Sequence, residues 1–479
     1  MKRPLPLLNG INLKIKMYIQ QLYTNCLAHA AYYVESEGEA MVIDPLRDPM
    51  PYIELAKERN AKIKFVLETH FHADFVSGHI DLSNKTGAVI VFGPDAKPGY
   101  RALSAFDGEE FSIGKIKVKV LHTPGHTIES SCFLLIDEKN KPCAVFTGDT
   151  LFVGDVGRPD LMSGNLDKEM LAEMLYDSLR GKIMTLPDDV IVYPGHGAGS
   201  ACGKNIGKET VSSIGEQKKN NYALSDLSKK EFVKAVTSGL PVPPPYFFKD
   251  ARINLNGYED YDKVIARGNK ALEINDFKRE LKKGAFVIDT RSSSDYANAH
   301  IPDSVNIGLN GQFANWAGTV IDNDLPILIV ADPGKEKETQ MRLARIGFDN
   351  ISGFLKGTME DWKNAQGDIS SLTIITLEDW KKNINRDRIT ILDVRNHTEN
   401  RELSFEGSLH IPLNELKANI SKIPIDRPVL VCCAGGYRSI IGAGLLKRNG
   451  FRNVMDLKGG LNAYASGFTL PFKIASSAA

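Results

Sequence analysis

The stretch THFHADF at residues 69–75 decides how this chain folds and what it can bind. It is followed by TPGHT at 123–127 and TGDTLF at 147–152. Together the three segments contain five side chains of the metal-ligating type: His70, His72, Asp74, His126 and Asp149. Imidazole nitrogens and carboxylate oxygens are common ligands of transition metals. The sequence therefore predicts a metal site assembled from three separate loops.

The residue after Asp74 restricts the kind of metal site. A two-metal hydrolase with this pattern would have a histidine there, as a ligand of the second ion. This chain has Phe75 at that position. The substitution predicts one metal ion per chain and argues against water-bridged dizinc chemistry.

Short apolar runs alternate with loops rich in Gly, Asp and His between about residues 17 and 238. Six of these runs are predicted to be buried strands: 40–45, 63–70, 88–93, 116–126, 143–149 and 189–196. Because most of the runs end in a polar loop, we expect a layered α/β fold with its site at one edge of the sheets.

Two further segments are predicted to lie outside the folded domains. The Pro-rich stretch GLPVPPPYFF at 239–248 predicts a linker. Residues 1–16 precede the first strand pattern, and they are interpreted as a disordered extension or as a start placed at Met1 instead of Met17.

The remainder of the chain contains an internal repeat. Four pairs of segments match: 286–291 with 389–395, 299–307 with 409–416, 326–336 with 428–438, and 347–357 with 450–460. Each copy spans about 100 residues, the size of a compact domain, and alternates strands with turns and a helix.

The second copy contains a candidate nucleophile in CAGGYRS (433–439). A Gly-rich turn formed by Gly435, Gly436 and Tyr437 precedes a helical run, so backbone N–H groups and a helix N-terminus should stabilise a Cys433 thiolate or persulfide. Arg438 completes the turn. Cys432 is expected to point to the other side of the strand, into the core.

The first copy lacks this chemistry. Aligning Pro326 with Pro428 places Ala331 opposite Cys433 and Glu336 opposite Arg438. We expect this domain to be catalytically inactive, with a structural role as a spacer or an oligomer contact.

Composition excludes several classes of partner. The 479 residues have a formal net charge of zero, so no attraction to nucleic acid or to an anionic membrane is expected. No apolar run reaches the length of a signal peptide or a membrane span, which predicts a cytoplasmic protein. The six scattered cysteines are expected to be thiols.

The ordered set THxHxD, TPGH, TGD and YPGH resembles the metallo-β-lactamase superfamily over roughly the first 240 residues, and HADFVSGH is similar to its persulfide dioxygenase branch. The resemblance implies one ferrous iron per chain, held by His70, His126 and Asp149. It also implies that His72 and Asp74 orient these ligands. His196 of YPGHG, which would ligate a second metal in the hydrolases, is expected to make a loop-fixing hydrogen bond instead.

Two residues near this site have alternative roles. Arg158 of DVGRPDL could clamp the carboxylate of a thiol cofactor, or it could form a salt bridge to Asp155 or Asp160. The resemblance places Cys202 near the mouth of the site, where it could relay sulfur, line the substrate channel, or be a small buried residue.

Residues 370–470 resemble the rhodanese (sulfurtransferase) domain, with four residues between Cys433 and Arg438 as sulfur transfer requires. The chain is thus identified as similar to persulfide dioxygenase–sulfurtransferase fusions. The resemblance implies a metallo-β-lactamase αββα sandwich followed by two rhodanese-like α/β domains. It also implies that the protein binds a low-molecular-weight thiol persulfide, dioxygen and sulfite or thiosulfate, and that it forms a homo-oligomer. The expected bounds are an extension over 1–16, the dioxygenase domain over 17–240, a linker over 241–264, the inactive domain over 265–368 and the active domain over 369–479.

Two other functions stay open from the sequence. One is a zinc thioesterase of the glyoxalase II kind fused to a sulfurtransferase, which Phe75 disfavours. The other is a non-catalytic sulfur carrier, which the inactive copy favours but the intact metal ligands and Cys433 disfavour. The metal content of the purified protein distinguishes the three.

Overall fold

A computed structural model of the chain describes residues 17–161, 166–322, 325–382, 388–465 and 472–474. The chain divides into two compact units, Met1–Tyr261 and Asp262–Ala479. The extension predicted over 1–16 lies outside the described residues.

The first unit contains twelve strands and six helices within the described ranges. The strands are β1 (Met17–Thr24), β2 (His29–Ser36), β3 (Glu39–Ile43), β4 (Lys62–Leu67), β5 (Val89–Phe92), β6 (Leu103–Ser104), β7 (Glu110–Ile113), β8 (Ile116–His122), β9 (Ser131–Ile136), β10 (Pro142–Gly148), β11 (Ile191–Pro194) and β12 (Ser212–Ser213). The helices are α1 (Met50–Glu58), α2 (His79–Thr86), α3 (Lys168–Ser178), α4 (Ile214–Asn220), α5 (Lys229–Thr237) and α6 (Phe247–Asn256). A π-helical turn (Leu179–Ile183) continues α3, and a 3₁₀ turn (Tyr222–Leu224) follows α4.

These strands form two six-stranded sheets. One has the order β1-β2-β3-β4-β5-β6 and the other the order β12-β11-β10-β9-β8-β7. Each of the six runs predicted as strands coincides with a strand, so this part of the prediction is confirmed. The loops after β4, β8 and β10 bear the predicted metal ligands.

The packing of the sheets gives four layers. Alternate side chains of both sheets, such as Tyr32, Val118 and Phe146, form a shared apolar core between them. The outer face of the first sheet packs against α1 and α2, and that of the second against α3 and α5. The predicted αββα sandwich is therefore confirmed.

The structure differs from the predicted linker over 241–264. Helix α6 lies in this segment, and its Phe247, Asp250 and Asn254 are buried in the first unit. The Asn254 amide donates to the backbone oxygens of His72 and Phe75, at 2.7 Å each, and its Oδ1 accepts from Ser77 N. The proline run suggested an exposed connection, whereas the helix after it holds the loop of the metal ligands.

The second unit contains the two repeat copies. Its strands are β13 (Ala271–Leu272), β14 (Phe286–Asp289), β15 (Val305–Asn306), β16 (Ile327–Val330), β17 (Ile351–Leu355), β18 (Thr373–Ile375), β19 (Thr390–Asp393), β20 (Leu403–Phe405), β21 (Leu409–His410), β22 (Val429–Cys432), β23 (Val454–Leu457) and β24 (Phe472–Ile474). Its helices are α7 (Tyr261–Gly268), which begins at the unit boundary, α8 (Ile274–Lys282), α9 (Ser293–Asn298), α10 (Phe313–Val320), α11 (Glu336–Ala344), α12 (Met359–Asn364), α13 (Leu377–Lys382), α14 (His397–Glu402), α15 (Leu416–Asn419), α16 (Tyr437–Arg448) and α17 (Asn462–Ala465), with 3₁₀ turns at Leu413–Glu415 and Ile420–Lys422.

The sheets of the two copies have the same order. The first copy has β13-β17-β16-β14-β15 and the second has β18-β23-β22-β19-β21, with all neighbours parallel. The repeat predicted from sequence is therefore a repeat of one α/β domain. Nowhere in the described ranges is a helix long and apolar enough to cross a bilayer.

Candidate active sites

Three loops bring His70, His126 and Asp149 together beneath the surface of the first unit. The Asp149 Oδ2 lies 3.4 Å from His126 Nε2 and 3.9 Å from His70 Nε2. All three side chains are buried, and one ligand atom from each lies within 4.8 Å of the others. The fold therefore brings together the three residues that the resemblance implied as metal ligands, and this group is one of three in the described ranges that could hold a metal ion.

Hydrogen bonds orient both imidazoles toward that point. His126 Nδ1 donates to the backbone oxygen of Arg158 at 2.8 Å, which leaves the lone pair of Nε2 free. The Thr69 hydroxyl donates its hydrogen to Asp44 Oδ2 at 2.9 Å. The Thr69 Oγ1 atom is therefore the acceptor for His70 Nδ1, also at 2.9 Å. Both Nε2 lone pairs therefore face Asp149, as ligation requires.

Burial also sets the protonation of these groups. Desolvation lowers the pKa of His126 to about 4 and holds the pKa of His70 well below its usual range. Desolvation raises the pKa of the Asp149 carboxyl well above its usual range. The two imidazoles are therefore neutral near pH 7, and a divalent cation would offset the cost of burying the Asp149 charge. This donor set fits a divalent transition metal.

His72 points away from the metal ligands. Its Nε2 lies 3.1 Å from Asp44 Oδ1 and 3.7 Å from Glu68 Oε2. Asp44 accepts from the backbone and the hydroxyl of Thr69, and Thr69 in turn accepts from His70. The His72 imidazole is thus linked to His70 through Asp44 and Thr69, while ligand atoms of Asp44, Glu68 and His72 also lie within 4.8 Å of one another.

A second group of ligand-type side chains lies beside the first. His196 Nε2 is 3.5 Å from Asp74 Oδ2 and 3.5 Å from Asp149 Oδ1, and its Nδ1 donates to Ala28 O at 3.3 Å. Cys202 belongs to this group, since ligand atoms of Asp74, His196 and Cys202 lie within 4.8 Å of one another. His196 thus bonds the backbone through Nδ1 and directs Nε2 at the Asp74 and Asp149 carboxyls.

Cys202 and Phe75 complete the wall of this buried region. The Cys202 side chain is 1% exposed and its thiol interacts with the Asp149 carboxyl, so it lies deeper than the mouth predicted for it. The Phe75 ring stacks on His72 with centroids 4.4 Å apart and contacts His29 at 4.2 Å. An apolar ring thus fills the space that a histidine at position 75 would occupy.

Arg158 forms the salt bridge that was the alternative to a substrate clamp. Its guanidinium makes two bonds to the Asp160 carboxylate, at 2.6 and 2.7 Å, and donates to Pro241 O. The residue is 2% exposed. Because its donors are already occupied inside the fold, the structure does not place Arg158 in the substrate-binding role considered for it.

Three residues of this region were not singled out from the sequence. Asp44 directly follows strand β3 and His29 begins β2, and the His29 Nε2 donates to Asp44 O at 2.8 Å. Asp44 could have been found, because it follows a predicted strand just as the other loop residues do. Asn254 could not, because its contacts with the His72 loop join residues about 180 positions apart.

A cavity of about 450 Å³ leads to His126. Its lining combines apolar, cationic and acidic side chains: Phe71, Leu161, Phe248, Leu255, Lys97, Arg252, Asp95 and Glu129. Within the described part of the chain neither Lys97 nor Arg252 has an ion-pair or hydrogen-bond partner. A ligand in this cavity would meet an apolar wall, two free positive charges and the carboxyls of Asp95 and Glu129.

In the second unit, the turn after β22 surrounds Cys433. The backbone N–H of Gly436 donates to Cys433 Sγ at 3.1 Å, and the Cys433 thiol contacts Ser439 Oγ at 3.4 Å. Gly436 has φ +95°, a conformation that favours glycine, immediately before α16. Cys432 packs in the apolar core on the opposite face of the sheet, as predicted.

Arg438 forms a salt bridge to a carboxylate. Its two terminal nitrogens donate to the Glu399 carboxylate at 2.7 and 2.6 Å. The guanidinium therefore holds the Cys433 turn to α14 in addition to placing a positive charge near the sulfur.

The first repeat copy contributes to the surroundings of this turn. Tyr437 donates its hydroxyl to Gly308 O at 2.8 Å, and a cavity of about 620 Å³ is lined by Gly435, Gly436 and Tyr437 together with Arg291, Asp332 and Lys335 of the first copy. The first copy was expected to act as a spacer or an oligomer contact. In the structure, it forms part of the wall beside the Cys433 turn.

Known families match both units. The description "Metallo-beta-lactamase superfamily" fits residues 24–196, and "Rhodanese-like domain" fits residues 273–365 and 376–466. A solved metallo-β-lactamase from Staphylococcus aureus is 34% identical, with a TM-score of 0.63 over 71% of this chain and 99% of that one.

Relatives with two different activities resemble the first unit. The human mitochondrial persulfide dioxygenase is 31% identical over 215 residues, which are 43% of this chain and 74% of that protein. The cytoplasmic hydroxyacylglutathione hydrolase of Arabidopsis thaliana is 36% identical over 164 residues, 34% of this chain. The chain spans only 60% of the length of that hydrolase.

Proposed function

Because this chain belongs to the metallo-β-lactamase superfamily and carries two rhodanese-like domains after its metal-site unit, we propose that it is a persulfide dioxygenase coupled to a sulfurtransferase. The first unit would oxidise a low-molecular-weight persulfide with dioxygen. The second would transfer sulfane sulfur through Cys433. The resident metal would be one ferrous iron per chain.

The composition of the metal site is the observation on which the proposal rests. Two neutral imidazoles and one carboxylate, His70, His126 and Asp149, converge on one point while His72 is directed at Asp44. Two histidines and one carboxylate with open positions are typical of non-haem iron(II) oxygenases. Ferrous iron, when bound, supplies the redox chemistry that lets a persulfide react with dioxygen.

The remaining steps fall to the side chains of the protein. His126 and His70 keep Nδ1 occupied by hydrogen bonds, so each would hold a bound metal through Nε2. The apolar wall that includes Phe71 and Phe248 limits the water around the reactive sulfur. Lys97 and Arg252 are placed to bind the anionic part of the thiol.

The two reactions fit together chemically. A persulfide R–S–SH, dioxygen and water give the thiol R–SH and sulfurous acid, which is present as sulfite near neutral pH. Sulfite can then accept the outer sulfur of a Cys433 persulfide to give thiosulfate and the Cys433 thiolate. The same site could act in reverse, with thiosulfate as the sulfur donor.

A second candidate function is a zinc hydrolase with a two-ion site. Asp74, His196 and Cys202 add three ligand-type atoms beside Asp149, and hydroxyacylglutathione hydrolases resemble the first unit as much as dioxygenases do. Such an enzyme would bind two zinc ions and hydrolyse a thioester of an anionic thiol without consuming oxygen.

Metal analysis and an oxygen electrode distinguish the two. The dioxygenase should contain about one iron per chain and consume oxygen with a thiol persulfide. His126→Ala should abolish both iron binding and oxygen uptake. His122→Ala is a matched control, because His122 instead contacts the backbone oxygen of Ile128 at 2.9 Å.

Sulfur transfer by the second unit provides the internal standard. It should persist in His126→Ala, since Cys433 lies in a separate unit. Undiminished oxygen uptake in His126→Ala would contradict the iron assignment. Two zinc ions per chain with thioesterase activity and no oxygen uptake would favour the hydrolase.

A further inference from the structure

The aromatic ring of Tyr437, a residue of the Cys433 turn, lies on a loop of the first repeat copy. Its hydroxyl donates to the backbone oxygen of Gly308 at 2.8 Å. A Cβ added at Gly311 would lie 2.5 Å from Tyr437 Cζ and 2.6 Å from its Cε2, so the ring packs directly on the backbone of that glycine. Residues 308–311, the tyrosine seat, thus receive a side chain from the other copy.

The tyrosine seat distinguishes the two copies. The strand pairings make Asn306 and His410 equivalent, because each pairs with the aspartate that ends the neighbouring strand. Counting on along both copies places Pro412 and Glu415 at the positions of the two seat glycines. The first copy therefore has glycine at both positions that face the ring, whereas the second copy has a side chain at each of them.

Tyr437 is covalently joined to the group that contacts the sulfur. The Gly436 N–H donates to Cys433 Sγ at 3.1 Å, and Gly436 leads into Tyr437 with φ +95°. Tyr437 is also the first residue of α16. A shift of the Tyr437 backbone would therefore move both the donor N–H and the start of the helix, two features that stabilise negative charge on the sulfur.

The rest of α16 also lies against the first copy. Near the middle of the helix, a Cβ added at Gly444 would lie 3.1 Å from the Tyr296 hydroxyl and 3.2 Å from Val305 Cα. At its end, the Arg448 guanidinium donates to the backbone oxygen of Asp303 at 3.2 Å. The helix that follows the Cys433 turn is thus supported by the first copy at its start, its middle and its end.

We propose that Tyr437 is a positioning residue of the sulfur-transfer site, and that the first repeat copy holds the Cys433 turn in its reactive geometry through the tyrosine seat. The inference rests on the proposed sulfur transfer at Cys433. It gives the copy that lacks a cysteine a part in the reaction. The seat fixes the ring, the ring fixes the turn, and the turn directs the Gly436 N–H at the sulfur.

The test measures sulfur transfer from thiosulfate to cyanide by the full chain, with thiocyanate as the product. Gly311→Ala adds a methyl group beneath the ring from the other copy. Carbon atoms in ordinary contact are about 3.5 Å apart, so the ring must move by about 1 Å. A displacement of this size can cost about a hundredfold in rate. We expect kcat and kcat/KM to fall together by about tenfold to a hundredfold, with KM for thiosulfate unchanged.

Three further variants separate positioning from a general defect of the loop. Gly308→Ala is the matched control, because its Cβ would make an ordinary contact of 3.7 Å with the same ring, and its loss should stay below about threefold. Tyr437→Phe keeps the ring in the seat and should be as mild. Tyr437→Ala removes the ring and should lose as much as Gly311→Ala. Adding Gly311→Ala to Tyr437→Ala should then cause no further loss, because the methyl group no longer meets a ring.

Four results would overturn the inference. They are transfer by Gly311→Ala within twofold of wild type, an equal loss in Gly308→Ala, the full Gly311→Ala loss again in the Tyr437→Ala background, and a raised KM with unchanged kcat, which would make Tyr437 a donor-binding residue. If urea unfolding shows that Gly311→Ala does not fold, Tyr437→Ala decides, and transfer within twofold of wild type overturns the inference. Full transfer activity in Cys433→Ser would instead overturn the proposed function.

Discussion

The burial of Asp456 predicts that Asp456→Asn stabilises the second unit, and only at higher pH. The pKa of this carboxyl is about 7 in the fold, raised by desolvation from 3.8. Below pH 3.8 both the folded and the unfolded chain hold the proton, so the group has no effect on stability. As the pH rises toward 7 the unfolded chain loses the proton first, and stability therefore falls. Above pH 7 the full destabilisation is present.

The size of this effect follows from the shift in pKa. A rise of about three units corresponds to about 4 kcal/mol, since each unit is worth about 1.4 kcal/mol. This is an upper value, because water that enters the cavity beside Asp456 would relieve part of it. An asparagine cannot ionise. Between pH 5.5 and 8.5 the stability advantage of Asp456→Asn should therefore grow by about 2 kcal/mol.

Tryptophan fluorescence measures this unit selectively. The three tryptophans of the chain, Trp316, Trp362 and Trp380, all lie in the second unit. Urea unfolding curves at pH 5.5 and 8.5 give the difference between variant and wild type, with Asp332→Asn as the exposed control. An advantage of Asp456→Asn that is the same at both pH values would refute the assignment of a buried, late-titrating carboxyl.

Three other changes test the two sites. Gly125 has φ +149°, and an added Cβ would lie 2.4 Å from Leu175 Cα. Gly125→Ala should therefore lower the free energy of unfolding by about 1–3 kcal/mol and reduce the bound metal below one per chain. Gly181→Ala is the control, because an added Cβ at Gly181 has open space around it and should change neither quantity. Arg252→Glu should raise KM for an anionic persulfide about tenfold and leave kcat unchanged, as measured with an oxygen electrode. The reason is that the change reverses a charge that binds the ground state and the transition state alike. An unchanged KM would show that Arg252 does not bind the substrate. Cys433→Ser should shift the product from thiosulfate to sulfite, since a serine hydroxyl stays protonated near neutral pH. Chromatography of labelled products measures this shift. Thiosulfate formed at the wild-type rate, after subtraction of the nonenzymatic reaction, would show that the two units are not coupled.

Strand ends made much of the first unit predictable. Apolar runs followed by polar loops located six strands. The metal-ligating side chains in those loops were therefore expected to meet at one edge of the sheets. The period of two along β22 also separated Cys432 from Cys433 correctly. These inferences succeed because they depend on local pattern alone.

Side-chain direction was less accessible. His70 and His72 occupy equivalent places in the HxH pattern, yet their rings serve different groups. The difference depends on Asp44 and Thr69, since Asp44 lies 25 residues before Thr69 and bonds both its amide and its hydroxyl. The helix within 241–264 was inaccessible for the same reason, because its contacts with the His72 loop join distant parts of the sequence. The salt bridge of Arg158 to Asp160 is local, and the sequence offered it as one of two alternatives.

The two repeat copies separate structural residues from chemical ones within a single chain. Arg291 binds Asp289 through Nε and Nη2, and Arg395 binds Asp393 through the same atoms, with Nη2 at 2.6 Å from Oδ2 in both copies. This pair also survives in the copy that has no cysteine. Its role is therefore to hold the strand end and the following loop, which both copies need. The two copies differ at the turn itself, where Ala331 stands opposite Cys433 and Glu336 opposite Arg438.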